Sequence, residues 1–126
     1  MATGRSAPRK STRTNQRAIN TETVRAIALE LPESTEAPHF DMQSFRVGGK
    51  IFATMPKDGL QLHVFVDDSA REQWIATYPA AIEKLLWGKK VVGLRVNLSL
   101  VDGAIVTSLL QSAWMRKAPK RLLTKA

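Results

Sequence analysis

No cysteine occurs in these 126 residues. Disulfides, thiolate metal sites and a cysteine nucleophile are excluded, and a reducing interior compartment, the cytoplasm, is the expected setting. Long apolar runs are missing too. No stretch approaches the roughly 20 residues that a membrane-crossing helix requires, and the start of the chain lacks the apolar core of a secretory signal. No membrane association is expected, and the Asn97-Leu98-Ser99 sequon is without consequence. Acidic residues are absent from both ends. Residues 1–18 carry Arg5, Arg9, Lys10, Arg13 and Arg17, and residues 116–126 carry Arg116, Lys117, Lys120, Arg121 and Lys125, in neither case with an Asp or Glu. The stretch between them sets nine basic residues against all eleven acids, so the three charges are +5, −2 and +5 and the total is +8. A near-neutral centre with cationic ends attracts polyanions, nucleic acid above all. Solubilisation alone is the competing use of such ends.

Residues 1–18 are rich in Ser, Thr, Arg and Ala and have almost no large apolar side chains. They cannot bury enough surface to offset the entropy of ordering, so a disordered basic arm is expected there. An organelle transit peptide has a similar composition but also an apolar face, which is missing here. Residues 19–126 suffice for a single domain with a modest core.

Order is expected to begin at Asn20 or Thr21, either of which can cap a helix. Val24, Ile27, Ala28 and Leu31 follow at i, i+3, i+4 and i+7, one helical face that Pro32 closes. Phe45 to Val47 and Lys50 to Met55 flank Gly48-Gly49, a hairpin signal because glycine reaches positive φ without steric cost. After the turn at Lys57-Asp58-Gly59, the alternation of Leu60, Leu62, Val64 and Val66 predicts a strand facing the core with those four. A second helix opens at Asp68 or Ser69, with Glu72 placed for a capping box, and ends before Pro79. The stretch from Ala80 to Leu86 is ambiguous between strand and helical turn. Val92, Leu94, Val96 and Leu98 define a further strand face, and Val106, Leu109, Leu110, Ala113 and Trp114 a final helix that stops near Pro119. No internal repeat is apparent. The order predicts an α+β, two-layer domain, an antiparallel sheet with helices on one face.

Such a sheet leaves its other face open. Gln61, His63 and Phe65 should point to that face from one strand, and Gly93, Arg95 and Asn97 from another. For the hairpin, a two-residue loop pairs Val47 with Lys50 and Phe45 with Phe52, whereas a bulged three-residue loop pairs Val47 with Ile51 and Phe45 with Ala53. The second is preferred because it keeps Ile51, Ala53 and Met55 in the core; it sends Arg46 and Phe52 to the open face.

Cations interleaved with aromatics suit nucleic acid, since cations meet phosphates while rings stack on bases. The candidate nucleic-acid-binding residues are Arg46, Lys50, Lys89, Lys90 and Arg95, with Lys120 and Arg121 at the end of the last helix. Trp74, Trp87 and Trp114 are expected in the core, and His63 as a packed or hydrogen-bonded side chain. His39, Asp41 and Ser44 supply the residue types of an acyl-transfer triad but lie in one short segment without a nucleophile elbow. His39, His63, Asp67 and Asp68 show no metal-ligand spacing, and Gly48-Gly49 lies between strands, not at a helix N-terminus. A non-enzymatic protein with no metal and no cofactor is expected.

The stretch His39-Phe40-Asp41-Met42-Gln43-Ser44-Phe45-Arg46-Val47-Gly48-Gly49-Lys50-Ile51-Phe52-Ala53 resembles the signature of the MmcQ/YjbR family. Trp87-Gly88-Lys89, Ala113-Trp114 and Ala118-Pro119-Lys120-Arg121-Leu122 agree in order and spacing, and the resemblance runs from Thr21 to Leu122. It implies the same sheet-and-helix fold and a DNA-binding protein; because the positive excess is terminal, such binding is expected to be mostly electrostatic and of low sequence selectivity. In that picture the hairpin tips act as wings beside a helix, Arg46 and Lys50 at one wing and Lys89 and Lys90 at the other. Relatives often place Gly and a second Trp where this chain continues Lys90-Val91-Val92-Gly93. The fold is also similar to that of secretion chaperones, which implies an alternative: a protein- or small-ligand-binding module using the open sheet face.

Overall fold

The computed structural model of the protein describes residues 19–123; the basic arm expected over residues 1–18 lies outside them. Asn20 caps the first helix, its side-chain oxygen accepting from the Thr23 backbone N–H at 2.9 Å. The elements are α1 (Thr21–Glu30), β1 (Thr35–His39), β2 (Met42–Val47), β3 (Lys50–Met55), β4 (Gln61–Val64), α2 (Asp68–Thr77), β5 (Ile82–Trp87), β6 (Lys90–Asn97), a 3-10 turn (Leu98–Leu100), α3 (Gly103–Lys117) and α4 (Lys120–Leu123). The strands form one six-stranded sheet in the order β1-β2-β3-β4-β6-β5, every neighbouring pair antiparallel. This is the expected α+β architecture. The ambiguous stretch after Ala80 is resolved as edge strand β5, and β1, at the other edge, tolerates Pro38 because an edge strand needs no complete ladder.

Helix α3 packs on β3, with further contacts to β2 and β4; α1 packs on α3, and α2 on β5. Val24 and Ala28 of α1 and Val106, Leu109, Leu110 and Ala113 of α3 are buried, as are Phe45, Leu62, Val64, Leu94 and Val96 of the sheet. Fully burying a side chain of this size contributes roughly 1.5–3 kcal/mol. The indole N–H of Trp114 donates to the Pro32 carbonyl at 3.0 Å, tying the end of α3 to the chain that leaves α1.

The hairpin register departs from expectation. Gly48 and Gly49 both have positive φ (58° and 80°), a two-residue turn that pairs Val47 with Lys50. Arg46 then faces Ile51, and a β-bulge shifts the ladder so that Phe45 faces Ala53. The structure thus joins the tip of one register to the inner pairing of the other, with Phe52 as the extra residue. Phe52 and Ala53 both turn to the helices, and Phe52 is 0% exposed. Ile51 is only half-buried and belongs to the open face with Arg46. The prediction that Phe52 is open and Ile51 buried is therefore wrong: a bulge buries the larger ring and leaves Phe45, Val47, Ala53 and Met55 in the core as expected.

Three smaller corrections have equally local causes. A second bulge, at Val92, turns that residue away from the face shared by Leu94, Val96 and Leu98. Leu60 precedes β4 in the turn after Gly59 and is 65% exposed. Helix α2 opens at Asp68 as expected, but its cap is Asp67 and not Ser69 of the expected capping box, the Asp67 carboxylate accepting from the Ala70 N–H at 2.8 Å.

Candidate nucleic-acid interface

The two hairpins share a design. In β2–β3 the turn Gly48-Gly49 is followed by Lys50 and Ile51 and then the bulged Phe52; in β5–β6 the turn Gly88-Lys89 is followed by Lys90 and Val91 and then the bulged Val92. Gly88 takes positive φ (62°) as the first residue of its turn. Both tips lie at the same end of the sheet. Between them β3 and β4 pair only through Ala53–Val64 and Thr54–His63, followed by one bond from the Phe65 N–H to the Phe52 carbonyl at 3.1 Å. Beyond that bond the hairpins part.

A groove of about 600 Å³ occupies the space they leave on the open face. Ile51, Phe65, Leu85, Leu86, Trp87 and Val92 form its apolar surface; His39, Met42, Thr54 and His63 line the side toward β1, and Arg116 and Lys117 enter from the last turn of α3. Among the described residues no carboxylate lines it. Trp87 is 76% exposed, contrary to the core placement expected of all three tryptophans. It ends an edge strand beside the turn. Trp114 is buried, and Trp74 is partly buried and stacked on Tyr78 with ring centroids 5.8 Å apart.

The cations fall into two groups. Burial, then Arg116, then Lys50 at one tip lower the Lys117 pKa from its ordinary value. Lys89 and Lys90 are exposed at the other tip. Arg116 and Lys117 line the groove itself; Lys50 precedes its lining residue Ile51, and Lys90 pairs with its lining residue Trp87. Arg46 lies on the open face with its Nε donating to Ser44 Oγ at 3.0 Å. Arg95 is outside the groove and ion-paired to Glu83 on the neighbouring strand, Nε to Oε2 2.8 Å. Arg121 forks onto both carboxylate oxygens of Glu33 at 2.8 and 2.6 Å, which raises its already high pKa. Lys120 is exposed at the start of α4. None of the expected residues lines the groove: Lys50, Lys89 and Lys90 lie at the hairpin tips next to it, and Arg95 and Arg121 are held by carboxylates elsewhere. Arg116 and Lys117 were missed as site residues; their signal was a pair of cations in the last turn of a helix whose end Pro119 marks.

His63 lies between Thr54 Oγ1 and Gln61 Oε1, each 3.4 Å from a ring nitrogen. Burial first and Arg95 second lower its pKa from 6.5, with Asp58 opposing, which favours the neutral ring. Ser44 is buried with its hydroxyl donating to the Ala37 carbonyl at 2.8 Å, which removes it from any triad with His39. Among the described residues no cluster of three or more His, Cys, Asp or Glu could hold a metal ion, and no helix is long and apolar enough to cross a membrane.

The family model described as YjbR matches residues 29–116. The chain belongs to the YjbR family. Among solved structures, the crystal structure of Deinococcus radiodurans protein DR2400, described as a DUF419 domain, is similar with a TM-score of 0.68 at 22% identity, over 82% of this chain and 80% of that one. At that identity the likeness concerns the fold, which the two proteins share. No curated protein matches the chain. For this YjbR protein the matched region runs from the end of α1 to the last turn of α3, and so contains both hairpins and every groove residue but Lys117.

Proposed function

We propose that this YjbR protein is a non-enzymatic, cytoplasmic DNA-binding protein that holds the phosphate backbone with its two hairpin wings and its basic ends. One observation carries the reading: Arg116 and Lys117 enter a groove that, among the described residues, no carboxylate lines, and the lysine-bearing tips of both hairpins adjoin it through Ile51 and Trp87. Positive charge without local compensation is what a polyanion selects, and release of its counterions supplies most of the affinity. Backbone contacts of this kind carry little sequence information, so selectivity is low.

The apolar surface of the groove favours a second reading, in which the open sheet face takes a protein segment or a small apolar ligand, as a chaperone would. Salt dependence separates the two. Fluorescence anisotropy of labelled DNA with the full chain should show binding at low salt that weakens steeply as salt rises. Replacing Lys50, Lys89 and Lys90 with Ala should reduce the slope of log K against log salt by up to about 3, from about 0.9 per duplex phosphate. If no DNA binds at low salt, where electrostatic association is strongest, the proposal is wrong and the protein-binding reading takes its place.

A further inference from the structure

Phosphate contacts account for the cations around the groove but not for its apolar surface. A DNA duplex hides the faces of its bases in the stack and offers hydrogen-bonding edges in its grooves. Docked on the wings, it would leave Ile51, Phe65, Leu86 and Trp87 against water or against polar edges. Trp87 makes the mismatch plain, since it is a large ring left 76% exposed directly beside the Gly88-Lys89 turn and the cation Lys90. A purely apolar peptide has the opposite fault, because it gives Lys50, Arg116 and Lys117 nothing to neutralise. A chain that alternates flat apolar faces with anionic links answers both.

Resting on the DNA-binding reading above, we infer that the groove between the wings takes unpaired bases of single-stranded DNA, with Trp87 as the stacking platform and Lys50, Arg116 and Lys117 meeting the flanking phosphates. Stacking on an aromatic ring tolerates any base, since every base has a π-face, and combines naturally with a cationic track. Thr54 and His63, the polar groups on the floor, lie within 3.4 Å of each other. The remaining surface toward the wings is aliphatic or aromatic, which suits deoxyribose better than a sugar whose 2′-hydroxyl needs a partner.

The test compares a labelled oligo-dT of about 20 nucleotides with a duplex of equal length and an oligo-rU, all bound to the full chain at one salt concentration. Oligo-dT should bind at least tenfold more tightly than either. Trp87→Ala should weaken oligo-dT binding roughly 5- to 150-fold, the cost of one lost base–aromatic stack, and leave duplex binding and the urea midpoint unchanged. Trp87→Phe should restore most of the loss. Duplex or oligo-rU binding as tight as oligo-dT, or a Trp87→Ala protein that binds oligo-dT normally, would overturn the inference while leaving the DNA-binding reading intact. Failure of all three oligonucleotides to bind at low salt would sink both.

Discussion

Truncating Phe52 and Ile51 in turn tests the bulged register directly, because the two alternatives assign opposite costs to neighbouring residues. Phe52 is fully buried on the face where α3 packs on β3, so Phe52→Ala removes a ring from a site walled on all sides. Such a change costs about 3–5 kcal/mol, combining lost transfer energy with the cavity left behind. Ile51 faces the groove half-buried, and solvent can follow its retreat, so no closed cavity forms. Ile51→Ala should then cost about 1 kcal/mol, well below the roughly 2–5 kcal/mol of a buried isoleucine. Small domains unfold in urea with slopes of about 1–3 kcal/mol per molar. Phe52→Ala should accordingly lower the urea midpoint by about 2 M, and Ile51→Ala by less than about 1 M. Total stability is only about 5–15 kcal/mol, so the alanine variant of Phe52 can lie close to unfolding. Phe52→Leu, which shrinks the ring without emptying the site, should fall between the two and keep the comparison measurable. The reasoning is refuted if Ile51→Ala costs as much as either Phe52 variant, since Ile51 would then be the core residue and the ladder would run without a bulge at Phe52.

Gly93→Ala should destabilise by about 1–3 kcal/mol, the usual cost of overpacking, because the added Cβ would lie 2.3 Å from the Val64 carbonyl oxygen and 3.1 Å from the Phe65 ring; a thermal melt reads this as a drop of roughly 4–8 °C per kcal/mol. His63 has a folded-state pKa below 6.5, so the unfolded chain binds its proton more readily and stability falls as pH drops below 6.5. His63→Gln should flatten that part of the stability–pH curve in urea melts, and an unchanged curve would exclude His63 as its source. Deleting residues 1–18, which carry five cations, should reduce the salt slope of duplex binding by roughly 4 if all five engage phosphates at about 0.9 each.

What could be read from the chain without coordinates was whatever kept its period. Val24 and Ala28, Leu62 and Val64, Leu94 and Val96, and the apolar face of α3 all lie where spacing predicts, because no bulge falls between the members of each set. A bulge inserts one residue into one strand and leaves no mark on composition: Lys50-Ile51-Phe52-Ala53 and Lys90-Val91-Val92-Gly93 read as plain apolar runs, and parity counted across them fails at Phe52 and at Val92. Trp87 escaped for a different reason. Hydrophobicity places a tryptophan inside unless an element ends before anything can cover it, and where β5 ends is a property of the sheet. Arg116 and Lys117 were visible as charge, but their place in the groove depends on how far the hairpins part. That parting has a physical source in the bulges themselves, since a bulge bends its strand and increases the local twist. Both bulges stand at the same distance from their tips, and the β3–β4 ladder stops beside the first of them. The features that defeated the reading by period are therefore the ones that open the groove, and removing a bulge should close it along with any binding that depends on it.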